Sequence, residues 1–287
     1  MKEHQSVYDW ALDRASHYAT NETYAEMSPE DQQHLVDEIL ANPYVYQNIV
    51  PVNVENTPAS IDPDGGLVTN VAFSYKDPDA GAAAMIVVYK GTGGPMEWRD
   101  NGVGGYYDTI DTPQQQAALD FFERATAGYE GDIYVTGHSK GGNKAQYVAV
   151  VADDPRIQSV TSFDGQGFNA AFLHKYADQI ARNAGKITSV ANQLDYVNGL
   201  FTQIAGQTIY IESATTSPAG FRQWHSPYSM FQENLDGTVS LGDQAPQAAA
   251  IKQVEGLLDF YQAYMPKEDF QYLCFALMSF MMGDEAG

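Results

Sequence analysis

Residues 132–145 read Asp-Ile-Tyr-Val-Thr-Gly-His-Ser-Lys-Gly-Gly-Asn-Lys-Ala, and no other stretch of the chain restricts its fold so tightly. A β-type run, Ile133 to Val135, meets Gly137-His138-Ser139-Lys140-Gly141, and a helical pattern follows at once. Gly-x-Ser-x-Gly between a strand and a helix is a nucleophile elbow: the turn lifts the serine hydroxyl clear of a sheet. Such a turn strains the backbone at Ser139 and leaves no room for a Cβ at Gly137 or Gly141. The helix that starts there points its free N–H groups and positive dipole end toward a developing oxyanion. Ser139 is therefore the candidate nucleophile.

The elbow needs a parallel sheet, and the rest of the sequence supplies one. Short β-branched or aromatic runs at Leu67–Tyr75, Ala83–Tyr89, Asp132–Thr136, Ile157–Phe163, Lys186–Ala191 and Gln207–Ile211 predict strands. Helical patterns lie between them: Pro113–Ala127 behind a Thr112 cap, Gly141–Ala152, and Phe168–Asn183 before Gly185. This alternation predicts an α/β-hydrolase fold, a mostly parallel central sheet covered by helices on both faces. Helices at about 5–19 and 29–41 precede a Pro/Asn/Gly-rich stretch, Asn42–Gly66, that reads as a long ordered loop. Apolar steps of three and four from Ile251 to Met265, and again from Phe270 to Met281, predict two C-terminal helices around Pro266. The second reads as a buried core helix, with a homodimer face or an acyl-chain wall as the alternatives. We expect one domain over 1–287, its core at about 67–240, with a helical extension over 1–66 and a helical segment over 246–287.

Composition excludes whole classes of partner. With 15 Lys+Arg against 37 Asp+Glu the formal charge is −22, and no dense basic run exists to hold a phosphate backbone or an anionic membrane. No nucleic-acid partner and no stable membrane insertion are expected. Cys274, the single cysteine, rules out an internal disulfide framework. The most apolar stretch, Phe270–Met282, is shorter than the roughly 20 residues that span a bilayer. The N-terminal residues show no signal-peptide core, so a cytoplasmic location is expected.

A serine nucleophile needs a histidine base oriented by a carboxylate, and on α/β-hydrolases the order is Ser, acid, His. Of His4, His17, His34, His138, His174 and His225, only His225 follows the final strand, in a loop-like Trp-His-Ser-Pro setting. Asp195, just past the strand Lys186–Ala191, is preferred as the acid on order and position. Asp164, in Phe-Asp-Gly-Gln-Gly-Phe-Asn, is the alternative acid. Both stand at carboxyl ends of strands, where such sheets take their ligands. For the oxyanion hole the candidates are the backbone N–H of Lys140 and Thr92, in Tyr-Lys-Gly-Thr-Gly-Gly after the strand Ala83–Tyr89.

Tyr-Lys-Gly-Thr, Val-Thr-Gly-His-Ser-Lys-Gly-Gly-Asn, Phe-Asp-Gly-Gln-Gly-Phe-Asn, the Asp195 loop and His-Ser-Pro-Tyr together resemble the Mbeg1-like family. That family is a bacterial α/β-hydrolase group similar to fungal-type class 3 lipases. The resemblance covers about residues 67–240 and implies a Ser139, Asp195, His225 triad with Thr92 as an oxyanion residue. Lys140 departs from the apolar residue that such lipases carry after the serine.

Gly93–Asp111, with five glycines among Trp98, Tyr106 and Tyr107, reads equally as a lid or as an ordered loop. Ser213–Trp224 should form the opposite wall. Lys90, Arg99, Lys140, Lys144 and Arg222 lie near the site segments and suggest a local positive patch, which would favour acidic substrates. No Walker-type glycine-lysine loop, dinucleotide fingerprint or zinc-ligand spacing occurs, so no cofactor and no metal are expected. Asp62-Pro-Asp64 and Asp77-Pro-Asp79 read as turns. The expected activity is that of a serine carboxyl-ester hydrolase on a small-molecule, lipid-like or acyl ester. Alternatives are a thioesterase, acyltransferase or amidase on the same residues, or a catalytically silent interaction protein.

Overall fold

The computed structural model describes residues 5–15, 29–56, 68–92, 95–105, 109–214, 223–234 and 239–282. Seven strands form one sheet: β1 (Ile49–Asn56), β2 (Val68–Lys76), β3 (Ala83–Tyr89), β4 (Asp132–His138), β5 (Ile157–Phe163), β6 (Ile187–Asn192) and β7 (Gln207–Ile211). They lie side by side in chain order. The β1–β2 and β2–β3 pairs are antiparallel, and β3 to β7 run parallel. A separate antiparallel pair, β8 (Phe231–Glu233) and β9 (Val239–Leu241), follows.

Strand order decides where the helices go. Parallel crossovers are right-handed, and an order that never reverses sends each one across the same face of the sheet. The helices α5 (Pro113–Ala125) and α6 (Lys140–Ala152) accordingly pack side by side, and α6 lies on β3, β4 and β5. Their buried faces join Val87, Ile133, Val135, Val160 and Ile187 in one core with Ala118, Phe121, Phe122, Ala145 and Val148. The helices α5 and α6 between the parallel strands thus share one face, where connecting helices on both faces were expected. On the other side, among the described residues, Ala84, Ile86, Tyr134, Thr136, Thr161 and Phe163 line an open groove of about 460 Å³.

Two further expectations are corrected. The stretch 42–66 is not all loop: α3 (Pro43–Tyr46) and β1 occupy its first part, while 57–66 lies outside the described residues. The helix expected over Phe168–Asn183 is two, α7 (Ala170–Lys175) and α8 (Ala177–Asn183), broken at Tyr176. Asp111, from the loop before α5, takes the Tyr176 hydroxyl at 2.8 Å and the Lys175 ammonium, which fixes the chain at the break. The first helix, α1 (Val7–Ala15), packs on α2 (Pro29–Ala41) through Ala11, Val36 and Ile39. The expected residues 16–19 of that helix lie outside the described ones.

Of the segment 93–111, residues 95–105 form a helix, α4 (Pro95–Gly105), and Gly93, Gly94, Tyr106 and Tyr107 lie outside the described residues. The C-terminal helices are α9 (Ala249–Tyr264) and α10 (Lys267–Met282). Phe270, Cys274 and Met278 bury one stripe of α10 with Leu258 of α9 and Val197, Leu200 and Phe201. Helix α10 also packs on α4. A Cβ on Gly102 would stand 2.8 Å from the Phe275 ring, and one on Gly105 would overlap the Phe201 ring. Val254, Leu257, Phe260 and Tyr264 of α9 face solvent. No helix among the described residues is long and apolar enough to cross a membrane.

Candidate active site

Strand β4 ends at His138 and α6 begins at Lys140, so Ser139 alone makes the turn. Its backbone, at φ 59° and ψ −126°, costs a non-glycine residue about 1–3 kcal/mol. The glycines make that turn fit. A Cβ on Gly137 would overlap the Gly141 carbonyl, and one on Gly141 would overlap the Tyr89 carbonyl at the end of β3. The Ser139 N–H donates to the Phe163 carbonyl at 2.8 Å, which ties the turn to β5.

The structure brings Ser139, His225 and Asp195 together. Ser139 Oγ lies 2.8 Å from His225 Nε2, and His225 Nδ1 lies 2.9 Å from Asp195 Oδ1. A carboxylate only accepts, so the imidazole carries its proton on Nδ1 and offers Nε2 to the serine. Asp195 also accepts from the Val197 N–H at 3.2 Å and the Asn198 N–H at 2.6 Å, so three donors surround its charge. The His225 segment is stapled to the sheet by Asn192, whose side-chain amide donates to Ser213 Oγ at 3.0 Å and Ser229 Oγ at 2.7 Å. Residues 215–222 of the expected opposite wall, Arg222 included, lie outside the described residues.

The alternative acid does not reach the imidazole nitrogen. Asp164 is fully buried, and its Oδ2 stands 3.8 Å from His138 Nε2. Burial, then the neighbouring Asp195 carboxyl, pushes Asp164 well above the usual carboxylate range, against the Asn192 N–H that favours its charge. His138, a residue with no assigned role in the sequence reading, donates Nε2–H to the His225 carbonyl at 2.7 Å, with the two rings 4.8 Å apart. Burial, then the His225 ring, pushes His138 down to about 3.

That depression has a measurable sign. His138 is neutral in the fold but takes a proton in the unfolded chain below about pH 6.5. It therefore contributes stability above pH 6.5 that is lost as pH falls toward 3, at up to about 1.4 kcal/mol per pH unit. Denaturation midpoints measured between pH 7 and 4 should fall less steeply for His138→Asn than for the unaltered chain. Equal slopes would show that His138 is not held neutral by the fold.

The oxyanion candidates come from two segments. Lys140 opens α6, where the first N–H groups have no intrahelical acceptor. Gly91 lies against the turn: a Cβ there would be 2.9 Å from the His138 carbonyl oxygen and 3.2 Å from Ser139 Cβ. Its neighbour Thr92 accepts a hydrogen bond from Asn101 Nδ2 of α4 at 2.8 Å, which leaves the Thr92 hydroxyl proton to be donated. Asn101, like Asn192, carried no sequence signal: both act through contacts that spacing does not encode.

Two of the five basic residues expected in the positive patch do not face solvent. Lys140 runs inward, its side chain fully buried with its ammonium 3.0 Å from Asp100 of α4. Lys144 is buried too and donates to the Lys90 carbonyl at 3.2 Å. Among the described residues one set of His and Asp atoms is close enough to share a metal ion: His138, Asp164 and His225, within 4.8 Å. It does not fit one. Both His225 nitrogens are committed to Ser139 and Asp195, and His138 Nε2 to a carbonyl.

Residues 67–234 match the Mbeg1-like family, and with them more than half of the sequence, including every residue of this constellation. The chain belongs to the Mbeg1-like family. The family is lipase-like, and this member carries the α/β-hydrolase fold. Three solved lipases are distantly similar. A triacylglycerol lipase from Penicillium expansum is 14% identical over 58% of this chain and 71% of its own, with a TM-score of 0.36. Lip2 lipase from Yarrowia lipolytica is 12% identical over 73% and 77%, with a TM-score of 0.38. M37 lipase is 14% identical over 90% and 97%, with a TM-score of 0.36. No curated protein matches the sequence.

Proposed function

We propose that the chain is a serine carboxyl-ester hydrolase acting on lipid-like or acyl esters. The observation that carries this reading is the unbroken hydrogen-bonded series from Ser139 Oγ through His225 to Asp195, set on a strained elbow. His225 Nε2 takes the serine proton as Oγ attacks the ester carbonyl, and Asp195 stabilises the imidazolium that forms. The carbonyl oxygen, now an oxyanion, is met by the Lys140 N–H and by Thr92. Collapse expels the alcohol with the proton from His225. Water, activated by the same histidine, then releases the acid and frees Ser139.

A fluorophosphonate probe, which phosphonylates an activated serine, tests the reading. Stoichiometric labelling of the folded chain at Ser139 is expected, and none would overturn the proposal. The Thr92 contribution is separable. Thr92→Val keeps the shape and the N–H but removes the hydroxyl, so kcat should fall about tenfold to a thousandfold with KM little changed. An unchanged kcat would leave only backbone donors in the hole.

A further inference from the structure

Asp164, the carboxyl that does not orient His225, remains unexplained by the reaction above. It is fully buried and sits at φ 47°, a left-handed conformation that an aspartate adopts only at a cost. Its Oδ1 accepts the Asn192 N–H at 2.8 Å, and its Oδ2, also buried, meets no donor. His138 Nε2, 3.8 Å from that oxygen, already gives its proton to the His225 carbonyl. Beside it, within hydrogen-bond reach, is the carboxyl of Asp195, equally buried.

Two buried carboxyls in contact cannot both be charged, so one of them keeps a proton. The donors decide which. Asp195 receives three, from His225, Val197 and Asn198, whereas Asp164 receives one. Charge belongs where the donors are. We propose that Asp164 is a positioning residue: it keeps its proton and donates it to the Asp195 carboxylate, fixing the group that orients His225. The inference rests on the hydrolase reading for its effect on rate, but the proton itself exists whether or not the chain turns over an ester.

His138, His225 and Tyr210 are titratable neighbours of the pair. His138 and His225 face it from the ends of β4 and the last loop, and His138 is neutral over the working range. Tyr210 of β7, which interacts with Asp195, is pushed up to about 12 by burial, Glu255 and Asp195 and stays neutral as well.

Two substitutions separate this role from a purely structural one, because both glycine and asparagine accept the left-handed backbone. Asp164→Gly removes the donor and should lower kcat/KM about tenfold or more. Asp164→Asn supplies an N–H in place of the O–H and should restore most of that loss. Its pH profile carries the decisive sign. A proton already present in the unaltered chain means that Asp164→Asn leaves the acid limb of kcat/KM in place. Were Asp164 charged, removing that charge would move the limb down by about a pH unit or more and overturn the proposal. Full activity in Asp164→Gly would overturn it too. An infrared difference spectrum at neutral pH reads the proton without turnover: the C=O stretch of a protonated carboxylic acid should be present in the unaltered chain and missing from Asp164→Asn. Absence of that band from the unaltered chain refutes the proposal. Presence of the band with no ester turnover would instead defeat the hydrolase reading alone.

Discussion

Ser139→Ala should abolish fluorophosphonate labelling and lower kcat about 10⁴-fold or more, and His225→Ala should cost nearly as much. The two losses should not add. Without the serine, the histidine has no proton to take, so the double variant should be no slower than the worse single one. Burst kinetics on a chromogenic ester, with active-site titration to exclude residual unaltered enzyme, would measure all three. Additive losses would mean that the 2.8 Å contact between Ser139 and His225 is not the working pair. Asp195→Asn should fall between these variants and the unaltered chain, because it leaves a hydrogen-bond partner but presents the wrong tautomer to the base.

The largest effect on stability should come from Asp100→Ala. Lys140 lies fully buried beside Asp100, so removing the carboxylate strands an ammonium in the interior. Breaking one partner out of such a pair costs about 3–5 kcal/mol. Asp100 also accepts the Thr112 hydroxyl at 2.9 Å, at the cap of α5, and that bond is lost with it. The double variant Lys140→Met/Asp100→Leu removes both charges and should recover most of the loss, since a well-packed apolar pair is often as stable as a buried ion pair. Urea unfolding midpoints of the three proteins would test this. A loss below about 1 kcal/mol in Asp100→Ala would show that Lys140 reaches solvent, and would reopen a role for it in holding an acidic substrate.

The elements that the sequence reveals are those whose signals are local. The parallel strands carry β-branched runs, and the elbow carries its glycines where a Cβ would overlap the neighbouring carbonyls of Gly141 and Tyr89. Ser139 follows from the elbow, His225 from chain order and elimination, and Asp195 is preferred over Asp164 on order and position; the structure sets the three within hydrogen-bond distance. Strand β1 was hidden by Pro51, which discourages a strand reading. At a sheet edge, with a register shift between Pro51 and Asn53, the proline is tolerated. The break at Tyr176 has no glycine or proline to announce it, because Asp111 imposes it from a distant loop. The charges of Lys140 and Asp100 were legible, but their union was not. Composition places them near the site, and only the direction of the Lys140 side chain shows that they cancel.

The unreversed order of the sheet has a consequence for how the molecule comes into being. Each strand lies beside the one made just before it, so the sheet is complete with β7, at Ile211. Ser139, the proposed nucleophile, lies within the sheet's span, whereas the proposed base, His225, comes after it in the chain. Later still comes α10, whose Phe275 and Met278 brace Gly102 next to Asn101, the residue that holds Thr92. The scaffold and its serine thus precede, in chain order, the histidine that would make a reagent of that serine. On the proposed reading, the parts that would complete the chemistry are the last in the sequence.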